Sequence, residues 1–115
     1  MSISPEITPI VEQLFVELNQ TEEEVTKGVN LAQQLLSNFS DNAILAQCFA
    51  YFNTILFFLK ISRIHIEATV KAFSVSEVSL ESIEQLQGEL QNLLKQVLEV
   101  KTNVNNTTTR LGNWS

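Results

Sequence analysis

The stretch NAILAQCFAYFNTILFFL, residues 42–59, passes eighteen positions without a charged side chain. Wound as a helix it is apolar on nearly every side, and such a helix needs cover on nearly every side. The pattern continues past Lys60 and Arg63 to Phe73, and it carries two seams. Leu45, Cys48, Phe52, Ile55, Leu59, Ser62, Ile66, Thr69 and Phe73 step by three and four along one face. Ala50, Thr54, Phe57, Ile61, Ile64 and Ala68 keep the same rhythm along roughly the opposite face. This segment is expected as a helix over about 41–73, with the rest of the chain built around it. A three-helix bundle needs a broad face of its middle helix but not both sides, so the second seam is surplus to a monomer. A flatter arrangement, with the first and third helices on opposite sides of the second, is the alternative that would use both seams internally.

Upstream, Pro5 and Pro9 mark where the first helix starts. Proline is tolerated in a first turn and not deeper, which favours Thr8 as the N-cap and a helix over about 9–37. Val11, Leu14, Leu18, Thr21, Val25, Gly28, Ala32, Leu35 and Phe39 form its seam, alternating steps of three and four. Thr21 and Gly28 are thin points in that seam, able to admit a bulky side chain from a neighbour. Ser37-Asn38-Phe39-Ser40-Asp41-Asn42 then supplies stop, turn and cap within six residues, which makes the second helix antiparallel to the first.

Downstream, Ser74 and Glu77 stand at capping-box spacing, with Ser76 as a competing cap. A third helix is expected over about 76–108, on a seam of Ile83, Leu86, Leu90, Leu93, Val97, Val100 and Val104. The tail NNTTTRLGNWS is poor in helix formers, so fraying is expected between Asn105 and Arg110, with Trp114 in a loose end.

These elements predict an all-α fold: one domain, an up-down-up antiparallel three-helix bundle with long, coiled-coil-like helices. Composition agrees. Of 115 residues, 44% are hydrophobic and 17% charged, with only three Gly and two Pro. In the antiparallel register, residues 1–24, 60–73 and 74–89 meet at one end and hold six glutamates, three cations with one glutamate, and four glutamates. That end is an acidic pole. Lys60, Arg63 and Lys71 are expected to face the acids of the neighbouring helices.

The net charge of −6 argues against direct nucleic-acid binding, which relies on cationic attraction to phosphate. Cys48 and His65 are the only residues of their kinds. Seventeen positions apart on one helix, they lie about 25 Å from each other, far beyond the reach of a nucleophile and its base. Helical di-metal sites use Glu-x-x-His pairs, and the residue three before His65 is Ser62. No metal or other cofactor is expected. Eighteen uncharged residues touch the lower limit for crossing a bilayer, but Asn42, Gln47, Asn53 and Thr54 fall inside the window and Lys60 and Arg63 close it. Two flanking amphipathic helices offer nearer cover, so a membrane span is not expected. The start MSISPEITPI has neither a basic nor an apolar run, and the expected compartment is the cytosol, of a bacterium.

The functional expectation is a non-enzymatic interaction module that self-associates, as a homodimer, through Ala50, Thr54, Phe57, Ile61, Ile64 and Ala68, and acts as an adaptor or small assembly subunit with a protein partner. One alternative is a carrier or enzyme holding a small apolar ligand in a Phe-lined core, in space left by Thr21 and Gly28. Another is a peripheral membrane-associated helical protein.

Overall fold

The computed structural model describes residues 6–75 and 78–114. It consists of three long helices, α1 (Thr8–Asn38), α2 (Ala43–Val75) and α3 (Leu80–Gly112), in a rod measuring 57 × 19 × 17 Å. Among the described residues there is no strand.

α1 starts one residue earlier than expected, with Thr8 as its first residue and Pro9 in its first turn. Ile7 precedes it and is 2% exposed, so the entry is held by apolar packing and not by a capping hydroxyl. The α1–α2 turn follows the sequence closely. Phe39 N–H donates to the Leu35 carbonyl at 2.8 Å, and Asn42 Oδ1 accepts from Leu45 N–H at 3.0 Å, capping α2.

α2 runs antiparallel to α1. Phe52 meets Gly28, and farther along α2 Arg63 meets Asn19 and Glu22, earlier in α1. α3 reverses again. Residues Ile44 to Tyr51 share a cleft with Asn103 to Trp114, whereas His65 shares one with Leu86 to Gln96. The bundle is therefore up-down-up.

Its centre differs from the expected one. α1, not α2, is the helix shared by both neighbours, and α2 and α3 scarcely touch. The flat arrangement with α2 in the middle is excluded by the same observation. The cause lies in side-chain size. Thr21, Gly28 and Ala32 line the buried seam of α1, and at Gly28 the Phe52 ring of α2 comes up against the backbone. α2 and α3 stand farther apart, with clefts between residues 44–51 and 103–111 and between His65 and residues 86–96. The core contains Leu14, Leu18 and Val25 of α1, Leu45, Phe52, Leu59 and Ile66 of α2, and Leu90, Val97 and Val104 of α3, all at most 2% exposed.

α3 also departs from expectation at both ends. Its cap is Ser79, whose hydroxyl accepts from Ser82 N–H at 3.1 Å. Ser74 lies within the last turn of α2, while Ser76 and Glu77 lie outside the described residues. The expected fraying after Asn105 does not occur, and helix continues to Gly112. Burial of one apolar side chain offsets the weak propensity of the tail. Leu111 extends the line Leu90, Val97, Val104 by one more heptad and is 2% exposed. The hydroxyls of Thr107 and Thr109 donate to carbonyls four residues back, at 2.9 and 2.8 Å. Trp114 is likewise not loose: its N–H donates to the Leu111 carbonyl at 3.1 Å, and its side chain borders the α2–α3 cleft.

Polar contacts fix the register. Arg63 donates to Glu22 Oε2 at 2.7 Å and to Asn19 Oδ1 at 2.8 Å. Lys60 and Lys71, expected to act with it, are exposed, and of these three cations only Arg63 is ion-paired among the described residues. Lys101 of α3 reaches Glu17 at 2.7 Å and Gln20 at 2.6 Å. Among the described residues α1 is thus tied to each neighbour by one cation.

Candidate interaction face on α2

A helix that packs against one neighbour buries one stripe and leaves its far side to solvent. On α1 and α3 that far side is mainly polar. On α2 hydrophobicity is spread around the circumference, so the far side is apolar too. Ala50, Thr54, Phe57, Ile61, Ile64 and Ala68 are all exposed. Phe57 is 66% exposed, Ile61 48% and Ile64 52%, values far above those of the core leucines. From Ala50 to Ala68 the line covers about 27 Å of helix. It lies opposite the buried seam of Phe52, Leu59 and Ile66, which packs on α1.

Two features make this face suited to another apolar surface. Thr54 turns its hydroxyl inward, donating to the Ala50 carbonyl at 3.0 Å, so its methyl group is left outward along the line. Charge is also sparse. Lys60 and Glu67 are exposed on α2 beside the stripe, but none of its six members is ionisable. Of the other exposed large apolar residues, Val16 lies on α1 and Leu98 on α3, away from the stripe, while Ile44 and Trp114 border the α2–α3 cleft.

The expected thin points on α1 are filled from within. Phe52 occupies the space at Gly28, and Thr21 is fully buried with its hydroxyl donating to the Glu17 carbonyl at 2.7 Å. Both thin points are thus occupied by the protein's own side chains. The roomier space lies on the flank between α2 and α3, where Tyr51, Arg110 and Trp114 come together. Neither the seams nor the motifs of the sequence pointed to that cleft, because it depends on α2 and α3 standing apart.

Cys48 is half-buried in that cleft, and His65 is exposed farther along the same helix, facing Leu86 and Glu89 across a separate shallow groove. The structure does not bring them together. Among the described residues no group of three or more His, Cys, Asp or Glu side chains is placed to hold a metal ion. Burial pushes the Tyr51 phenol above its ordinary value of 10.0.

No family model, curated protein or solved structure matches this chain.

Proposed function

We propose that this chain is a non-enzymatic helical interaction module that self-associates as a homodimer through the outward face of α2 and serves as an adaptor or small assembly subunit. The observation that carries this reading is the exposure of Phe57, Ile61 and Ile64 in one continuous line. Water contact with such a line is unfavourable by about 25 cal/mol for each Å² of apolar area, and a second copy of the same line removes it. A two-fold axis brings identical patches together without another gene product.

Disulfide trapping tests it. In a Cys48→Ser background, Phe57→Cys, Ile61→Cys and Ile64→Cys are introduced one at a time and oxidised at low protein concentration. At least one of the three should trap a covalent dimer within minutes, while Val16→Cys, exposed on α1, should not. Equal trapping at all four positions, or none at any, contradicts the reading.

A second reading draws on the same helix. Ala43–Phe73 is long and apolar enough to cross a membrane, and only 22% of its most apolar window is buried within the bundle. Docking of α2 on a lipid surface would cover the same face. Co-flotation of the untagged protein with neutral vesicles, with no trapping in their absence, is the result that selects it.

A further inference from the structure

Where α2 and α3 diverge near the α1–α2 turn they leave a cleft of about 530 Å³, within the range of small-molecule sites. It is separate from the exposed stripe, lying on the flank of α2 between that stripe and the core. Ile44 and Tyr51 line it from α2, Asn106 and Arg110 from α3, and Trp114 from just beyond the end of α3. Among the described residues no carboxylate lines it. Arg110 is exposed and, like Lys60, Lys71 and Lys95, has no ion-pair partner among the described residues; of these four it is the one that borders the cleft. An arginine that shares a cleft with two aromatic rings offers two kinds of contact. The guanidinium accepts a carboxylate through two parallel N–H donors, and the rings accept a flat apolar body.

We propose that this cleft binds a small aromatic monocarboxylate, with the carboxylate on Arg110 and the ring system between Tyr51 and Trp114. Asn106 supplies an amide donor beside the guanidinium. Charge complementarity sets the preference: a neutral isostere keeps the ring contacts and loses the ion pair. A charge-assisted pair of hydrogen bonds in a partly enclosed site separates the two by about tenfold in affinity.

The chain has one tryptophan and one cysteine, and both border the cleft, so each reports on it without ambiguity. The probe is 2-naphthoate, with 2-naphthamide as its neutral counterpart, followed in proton–nitrogen correlation spectra of the full chain. Naphthoate should move the Trp114 indole N–H and the amides around Tyr51 and Arg110, saturating by about 10 mM, with naphthamide about tenfold weaker. Arg110→Gln should reduce naphthoate to the level of the amide. Arg110→Lys should keep part of the preference, and Lys95→Gln, on the exposed side of α3, should keep all of it. Naphthoate should also slow alkylation of Cys48 by iodoacetamide. Retained spectral dispersion separates loss of binding from loss of fold. An unmoved indole signal at 10 mM, equal affinity for naphthoate and naphthamide, or shifts centred on Phe57 and Ile64 instead of the cleft would each overturn the proposal.

Discussion

The ring of Phe52 lies directly against the backbone of Gly28, so closely that a Cβ at position 28 would sit 2.6, 2.8 and 2.9 Å from three of its ring carbons. Phe52 is 0% exposed, which leaves the ring little room to retreat. Gly28→Ala should therefore destabilise the fold even though alanine is the better helix former. Overpacking costs about 1–3 kcal/mol, against about 1 kcal/mol gained in propensity. Phe52→Leu alone should cost about 1–2 kcal/mol through lost packing. The double substitution should cost less than the sum of the two, and urea denaturation of the four proteins measures that coupling. Strict additivity would mean that the ring does not sense position 28.

Leu111 provides the sharpest contrast with what composition suggests. A frayed tail would leave it free, whereas a side chain 2% exposed belongs to the core. Leu111→Ala should lower stability by about 2–4 kcal/mol, close to a core leucine such as Leu90. A change below about 0.5 kcal/mol, the range of surface substitutions, would return the last turns of α3 to a frayed state.

The two cations that tie α1 to its neighbours should differ in weight. Glu17 is only 12% exposed in its side chain, and Glu22 is 52% exposed. Removing the cation from the former leaves a carboxylate short of water, so Lys101→Met should cost about 1–2 kcal/mol. Arg63→Met should cost under about 1 kcal/mol and lose most of that difference in high salt. Denaturation midpoints at two salt concentrations decide the order.

Tyr51 is the only tyrosine, so ultraviolet titration of the phenol reads one site. Its midpoint should lie above 10.0, because burial disfavours the phenolate. The folded state then holds this proton more tightly than the unfolded chain does. Its contribution to stability is complete below pH 10 and declines as pH rises through the folded-state value. In Tyr51→Phe this part of the alkaline loss should be absent from melting curves taken between about pH 9 and 11.

Much of the fold was legible in the residues because a three-four rhythm reports burial directly. The seam from Val11 to Leu35 and the Gly28 gap were readable, but Phe39, expected to continue that seam, is 49% exposed beyond the helix, and α2, expected from Asp41, starts at Ala43 with Asn42 as its cap. The outward position of Phe57 and Ile64 followed from the angle between two seams on one helix. What periodicity does not encode is which pair of helices packs most closely. That depends on the sizes of side chains meeting across an interface, here Gly28 and Ala32 on one side and Phe52 on the other, so the shared helix proved to be α1. The run to Gly112 escapes a propensity reading because asparagine and threonine are poor helix formers, while one buried leucine, Leu111, in register with Val104, holds the last turns. The α2–α3 cleft had no signal of its own, since Tyr51 and Arg110 are far apart in the chain.

Self-association through the outward face of α2 is tested most directly by light scattering coupled to gel filtration, on the wild type and on Phe57→Glu with Ile64→Glu. Both positions are exposed, so the substitutions leave the core of a single bundle intact. The wild type at tens of micromolar should elute at twice the 13.0 kDa chain mass or more, and the double variant should elute as a folded monomer with an unchanged helical signal. A wild type that is monomeric throughout this range, or a double variant that keeps the wild-type mass, would contradict it.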